Sequence, residues 1–411
     1  MMVLKEYKFS DLYEMSSGIS STKEQAGHGA PFASFSTVFN NYILPDELPD
    51  LMDTSEKEQK TYSIKKGDIL ITRTSETLDE LAMSSVALKE YPKATYSGFV
   101  KRLRPLQTDV TYDKFMAFYL RSPYFRKIIQ NNTNMTLRAS FNEDIFSYLT
   151  ILLPEYDVQK QVGDFLYLIE EKIRVNNELS AKLEAEAKLL FEYWFLQFEF
   201  PNEEGEPYKK SGGTLNYCKE IKMDIPERWR VGCLSEISKI TMGSSPKGET
   251  LNEINNGTIF YQGKADFGSR FPTVRIYTDS PIRYANEDDV LLSVRAPVGA
   301  MNVADQKCCI GRGLAAIHSK YSSFILYLLK ANEHQFDKYN KVGTTFGSIT
   351  KDELHDLSII IPEGKIIKKF EERVKPIDNL IKEYYRQNQM LIEYRNQMVP
   401  LLINGQVILD K

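Results

Sequence analysis

The sequence predicts an α+β protein made of two repeated units, each an irregular mixed domain followed by a long helix. The first observation behind this is a pair of heptad seams. Val162, Leu166, Ile169, Ile173, Asn176, Ser180, Leu183, Ala187 and Leu190 follow one another at steps of four and three. Phe370, Val374, Ile377, Ile381, Tyr384, Asn388, Leu391, Arg395 and Met398 keep those steps, every position displaced by 208 residues. The second observation is that the shorter segments ahead of each seam recur in the same order. Phe9–Gly18 is matched by Leu234–Gly243, the strand after Lys65 by Ala285–Arg295, Tyr112–Arg121 by Tyr321–Lys330, and Leu149–Pro154 by Leu357–Pro362.

Taken in order, Tyr62–Thr74 (YSIKKGDILITRT) has a Lys-Gly turn and then a β-branched run, the pattern of a strand entering a sheet. Tyr112–Gln130 has helical periodicity with Phe115, Phe118, Tyr119, Phe125 and Ile128 on one face, and Pro123 breaks it. Phe146–Pro154 alternates as a buried strand that the proline ends, and the first long helix follows from about Asp157 to Phe198. Pro201–Gly213 (PNEEGEPYKKSGG) is charged and rich in Pro and Gly, and reads as a linker too polar to bury structure of its own. Because both seams lie in one chain at matched register, an intramolecular helix pair is favoured over a homodimeric zipper. Asn176 and Ser180 within the seam suit register selection.

With 411 residues, 42% hydrophobic and 12% aromatic, the chain has room for more than one core and the composition of a globular protein. Its net charge of −4 gives no global attraction to nucleic acid, so any DNA contact must come from local basic surface. Lys5, Glu6 and Lys8 interrupt the apolar run a signal peptide needs, and no later run could span a bilayer, so a cytoplasmic location is expected. Cys218, Cys233, Cys308 and Cys309 lack metal-site spacing and read as reduced, packed thiols. A catalytic apparatus is hard to find. Gly243–Thr250 (GSSPKGET) has phosphate-loop glycines but Glu249 where the lysine must stand, and no methyl-donor loop or Asn-Pro-Pro-aromatic motif occurs. Pro45-Asp46 with Glu58-Gln59-Lys60 spells a loose metal-nuclease pattern inside what reads as a solvated acidic loop. The four histidines are scattered.

The segment from Leu153 to Pro201 resembles the inter-domain helix of the DNA-specificity subunits of type I restriction-modification systems. It does so in Pro154, Gln161, the Asn176-Asn177 pair and the closing Trp194, Phe195 and Phe198. Met398–Gln406 (MVPLLINGQ) resembles the family's C-terminal segment, as do Pro226–Trp229 (PERW) and Ser293–Gly299 (SVRAPVG). The first unit has TRTSET (Thr72–Thr77) in the last of these places and lacks PERW, and Lys369 stands where the first helix has Gln161.

The resemblance implies target-recognition domains over 1–153 and 226–362, spacer helices over 154–200 and 363–411 paired antiparallel, and a linker over 201–225. It implies a non-catalytic subunit that reads an asymmetric bipartite site in double-stranded DNA, one half per domain, with no cofactor of its own. Two DNA adenine methyltransferase subunits are expected as partners, with ATP-dependent restriction subunits as optional additions. Methyl donor and ATP would be held by those partners.

Base reading needs planar donor forks and small hydroxyls on loops. The candidates are Arg73, Thr74, Ser75, Arg138 and Ser140 in the first unit and Arg295, Arg312, Thr344, Thr345 and Ser348 in the second. Lys101, with Arg102 and Arg104, reads as a charged exposed strand able to meet phosphate. Tyr193, Trp194, Phe195 and Phe198 suit either core packing or a docking surface for the modification subunit, and are the partner-binding candidates. Two other functions remain open from sequence: a metal-dependent endonuclease using the acidic loop, and a coiled-coil scaffold with no DNA role.

Overall fold

The computed structural model describes residues 3–133, 139–340 and 347–407. The chain divides into two compact units, one drawn from Met1–Val175 with Asn388–Lys411 and the other from Asn176–Gln387, so each holds a stretch of both long helices.

In the first unit an antiparallel sheet runs in the spatial order Tyr13–Ser17, Val100–Pro105, Ile69–Thr72, Ser84–Val86. The β-branched run Ile69–Thr72 is buried at every position because it lies inside this sheet with both faces covered. The helical stretch divides into Asp113–Tyr119 and Pro123–Asn132. Pro123 opens the second helix at a position where its missing N–H costs nothing, and Ser122 caps it by accepting from the Phe125 N–H at 3.3 Å. Phe146–Tyr148 belongs to a short helix, Glu143–Tyr148, and the strand begins only at Thr150. That strand, Thr150–Pro154, pairs antiparallel with Leu4–Lys8 and passes directly into the long helix Tyr156–Phe191. Gln159 fixes the entry, donating to the Val110 and Pro154 carbonyls and accepting from the Tyr112 N–H. Val162, Leu166, Ile169 and Ile173 then form one core with Phe115, Phe118, Leu402 and Ile403. Gly163 permits the close approach, since a Cβ there would lie 2.6 Å from the Phe115 nitrogen.

The second unit repeats this plan. Its sheet runs Lys239–Met242, Leu314–His318, Val290–Ser293, Met301–Val303, so both sheets place their strands in the order first, fourth, second, third along the chain. A parallel pair occurs in each, Ala26–Ala33 with Thr95–Tyr96 and Thr258–Tyr261 with Cys308–Ile310. Arg230–Cys233 pairs with Ser358–Ile361, which leads into the helix Gly364–Ile403. None of the eighteen seam positions on the two long helices is exposed.

Trp194, Phe195 and Phe198 are at most 5% exposed, so they form core and not a docking surface. Phe195 packs at 5.1 Å from Phe370, 5.0 Å from Phe324 and 5.8 Å from Trp229, and Trp194 at 5.8 Å from Phe370. The first helix widens into a π turn over Glu192–Leu196 before Phe198 reverses with φ +61°, which turns these rings inward. Tyr193 is half-buried beneath the Lys210 ammonium. The polar stretch after Pro201 is likewise structured. Tyr208 stacks on Phe200 at 4.6 Å, Phe200 stacks on Trp229 at 5.1 Å, and Leu215–Cys218 forms a hairpin with Met223–Pro226. One tyrosine among charged residues supplies the anchor that composition alone conceals.

Charge also ties the long helices to loops and to the helix Ser322–Ala331 within the second unit. The Arg270 guanidinium, 7% exposed, donates to Asp378 at 2.6 Å and meets Glu184 at 3.3 Å, and Lys330 also pairs with Glu184. Lys375 and Lys382 reach Asp288 at 2.6 and 2.8 Å. Burial raises the Glu184 carboxyl, but Arg270 and Lys330 together hold it below its ordinary value. Its folded value is therefore depressed, and the stability it supplies is present above the ordinary carboxylate value of 4.5 and lost as pH falls through and below that value. Replacing Arg270 by Met should leave the partly buried Asp378 and Glu184 without that guanidinium and cost about 2–4 kcal/mol, less than a fully buried pair because Lys330 stays on Glu184, read as a shift of the denaturant midpoint. Asp378→Leu added to it should recover part of the loss. A shift corresponding to less than about 1 kcal/mol would mean that the network is screened like a surface pair.

Candidate nucleic-acid interface

Both sheets end in the same backbone arrangement. In the first unit Arg73 lies one residue beyond the Thr72–Val100 pair, its N–H donating to the Phe99 carbonyl at 2.8 Å. Thr74 then pairs with Ser140 and Ser75 with Ala139, while Phe141 donates to the Arg73 carbonyl at 2.8 Å. In the second unit Val294 donates to the Gly313 carbonyl at 2.9 Å, Arg295 bridges to Ser348, and Ile349 donates to the Val294 carbonyl at 3.1 Å. By this pattern Thr74 corresponds to Arg295, Ser140 to Ser348, Phe99 to Gly313 and Gly98 to Arg312.

A third loop joins each tip through a matched glycine. Gly18 donates to the Val100 carbonyl and Gly243 to the Leu314 carbonyl. A Cβ on either would lie 2.1 Å from a carbonyl oxygen, that of Ser97 or of Gly311, so neither position can hold another residue without displacing the adjoining turn. Ser245, inside the segment that imitates a phosphate loop, accepts from the Arg312 N–H at 3.1 Å and so helps to shape this tip.

The structure therefore brings together Arg73, Thr74 and Ser140 on one tip and Arg295, Arg312 and Ser348 on the other. Arg73, Arg295, Arg312 and Ser348 are exposed, and Thr74 and Ser140 half-buried. Among the described residues no carboxylate lies within 4.0 Å of the three guanidinium groups, which leaves five donors on each available. A cleft beside Arg295 is lined by Ser293, Gly313, Lys264 and Arg275, the last tied to Asp266 at 2.5 Å. Arg138, Thr344 and Thr345 lie outside the described residues. Ser75 is buried, its hydroxyl accepting from the Thr77 N–H at 3.2 Å, so it shapes the loop from within.

Lys101 requires correction, for it is 6% exposed and donates to the Ser17 hydroxyl at 2.8 Å. Its neighbours are engaged too, Arg102 by the Ser63 carbonyl and Arg104 by both oxygens of Asp68. The strand is interior to its sheet, and long stems let these residues bury their length while satisfying their charge.

The acidic segment is also ordered. Asp46 pairs with Lys89 and Arg174, Ser55 and Glu58 form a capping box for the helix Glu56–Thr61, and among the described residues no group of acidic, His or Cys side chains could hold a metal ion. All four cysteines are free thiols, with Cys308 and Cys309 buried. Among the described residues no helix is long and apolar enough to cross a membrane.

Sequence reasoning missed three exposed or shaping residues at the tips: Phe99, Gln262, whose carbonyl receives the Gly313 N–H, and Ser245. A phenylalanine following Ser-Gly at a turn was the available signal for the first.

A family model described as the type I restriction modification DNA specificity domain matches residues 4–185 and 226–390. A protein of Methanocaldococcus jannaschii assigned as the specificity subunit of the type I restriction enzyme MjaX is 29% identical over 403 residues, covering 95% of this chain and 90% of that protein. The MjaIX specificity subunit of the same organism is 23% identical over 430 residues, covering 98% and 93%. The crystal structure of a type I restriction-modification S subunit from M. genitalium shares the fold, with a TM-score of 0.56 at 14% identity, covering 100% of this chain and 97% of that one.

Since Trp194 is core, Trp194→Ala should lower the stability of the chain by about 3–5 kcal/mol. Co-purification of the variant with a modification subunit should weaken only as far as the folded fraction falls. Loss of co-purification with an unchanged thermal midpoint would restore the docking role.

Proposed function

The chain belongs to the type I restriction-modification DNA specificity family, and from that membership we propose that its two sheet tips read the two halves of an asymmetric site in double-stranded DNA. The observation that carries this reading is the pair of tips with the same backbone hydrogen-bond pattern and different side chains: Arg73, Thr74 and Ser140 in one, Arg295, Arg312 and Ser348 in the other. Repeated backbone geometry suits repeated approach to a duplex, and unlike side chains suit unlike half-sites. The recognition domains are taken as 1–153 and 226–362, joined through the linker 201–225. The chain is a specificity subunit, and methyl transfer to adenine is assigned to two partner methyltransferase subunits, with ATP-dependent restriction subunits where a system has them. Assembly in the cytoplasm follows from that role.

The helices over 154–200 and 363–411 are proposed to pair antiparallel as the spacer that sets the gap between half-sites. Contacts inside the second unit support the direction: Asn176 donates to Gln387 at 2.7 Å, while Phe191 meets Phe370 at 5.7 Å. As numbers rise on one helix they fall on the other.

Exchanging residues 226 to 356 for those of another specificity subunit, with the modification subunit present, should change the methylated sequence in one half only. Methylome sequencing reads this directly, and a change in both halves would defeat the reading. The spacer has its own test. A heptad inserted after Val175 and another after Gln387 return the seam to the same face and add about 10 Å to each helix. The gap should lengthen by up to about three base pairs, taking about 3.4 Å per pair, with both half-sites unchanged. An assembled, active protein that keeps the original gap would show that spacing is set elsewhere.

A further inference from the structure

The tips differ most at one backbone position. Where the second unit has Gly313, whose N–H and carbonyl are both used by neighbouring backbone, the first has Phe99 with 63% of its area exposed. This ring is not on a slack loop. The Phe99 N–H donates to the Ser97 hydroxyl at 3.2 Å, its carbonyl receives the Arg73 N–H at 2.8 Å, Gly98 donates to the Ile19 carbonyl at 2.7 Å, and Val100 donates to the Ser97 carbonyl at 2.9 Å. Backbone bonds on both sides thus hold an aromatic side chain out into solvent, opposite Arg73 in register, itself one position along the chain from the Thr74–Ser140 backbone pair. The second tip carries donors in place of this ring: Arg295, Arg312 and Gln262 are exposed there.

We propose that Phe99 is a specificity-determining residue that contacts a thymine methyl group in the major groove of the half-site read by the first unit. The proposal rests on the reading that the sheet tips face DNA. A phenyl ring offers no hydrogen bond, and the thymine methyl is the one apolar group that base pairs present at the groove edge. The two half-sites are accordingly read by different chemistry: an apolar contact flanked by one guanidinium and two hydroxyls in the first, and twin guanidinium forks in the second.

The experiment uses the chain assembled with its modification subunit. Methylome sequencing defines the bipartite site, and the half that relaxes in Arg295→Ala or Arg312→Ala is the half read by the second unit. Duplexes carrying the site are then made with each thymine of the other half replaced in turn by deoxyuridine, which removes only the methyl. One such replacement should weaken binding about four-fold, the worth of one buried methyl-sized group. Phe99→Ala should lose about the same factor on thymine DNA and be indifferent to that replacement. Because the side chain is exposed, the variant should keep its thermal midpoint and its assembly. Four outcomes overturn the proposal: a half-site without thymine, Phe99→Ala with unchanged affinity, deoxyuridine sensitivity that persists in Phe99→Ala, or a loss in Phe99→Ala with no deoxyuridine effect, as a ring wedged between bases would give. If none of Phe99→Ala, Arg295→Ala and Arg312→Ala alters the methylated sequence or the affinity, the assignment of the tips to DNA fails as well.

Discussion

Burial of the helix seams against the mixed units is the constraint on which the rest depends. The long helices are walls of the cores, not appendages. Leu166, Ile169 and Ile173 share a core with Phe115 and Phe118, and Phe191 and Phe370 share another with Phe324 and Trp194. Each buried side chain of this size contributes roughly 1.5–3 kcal/mol, so a unit cannot leave its helix without losing much of its stability. In both units the strand entering the helix is paired with the strand that begins the mixed domain, Thr150–Pro154 with Leu4–Lys8 and Ser358–Ile361 with Arg230–Cys233. Helix position and sheet position are therefore determined together inside each unit, and the sheet tips inherit that rigidity.

Duplication explains why so different a pair of tips keeps one backbone. Gly18 and Gly243 sit where a carbonyl approaches to within 2.1 Å of any Cβ, so the loop crossing cannot drift without loss of the fold. Around that crossing Arg73, Phe99, Arg295, Arg312 and Ser348 are exposed, so packing constrains these side chains little. Thr74 in one unit stands where the other has Arg295, and Phe99 where the other has Gly313, with the hydrogen bonds that define the tip present in both. A frame common to both units with replaceable edges lets an edge residue change while the cost in stability stays small.

Much of this was legible in the sequence because it is local. The heptad steps, the offset between the two seams, the proline that separates two short helices and the absent phosphate-loop lysine all depend on residues close together in the chain. What stayed hidden depends on partners far away. The pairing of Arg295 with Ser348 and of Thr74 with Ser140 assembles each tip across at least fifty residues, and no periodicity encodes it. Lys101, Arg102 and Arg104 looked like an exposed charged strand because alternating charge usually means solvent, whereas Asp68, Ser63 and Ser17 receive them in the interior. The aromatic cluster at Trp194 is ambiguous by composition, since core and interface favour the same residues, and only the approach of Trp229, Phe324 and Phe370 decides it.

The charge distribution completes the physical picture. A net charge of −4 is unusual company for DNA, because affinity for phosphate grows with each uncompensated cation brought to the backbone. Here several of the basic groups nearest the sheets are spent internally: Arg270 and Lys330 on Glu184, Lys375 and Lys382 on Asp288, Arg104 on Asp68. The guanidinium groups without a carboxylate among the described residues include those at the tips, Arg73, Arg295 and Arg312. A protein arranged in this way has little non-specific pull on a duplex, and the guanidinium groups it leaves free include those at the two sheet tips. Specificity, as a ratio of bound states, benefits from weak non-specific attraction, at a cost in the absolute affinity that each further uncompensated cation would add.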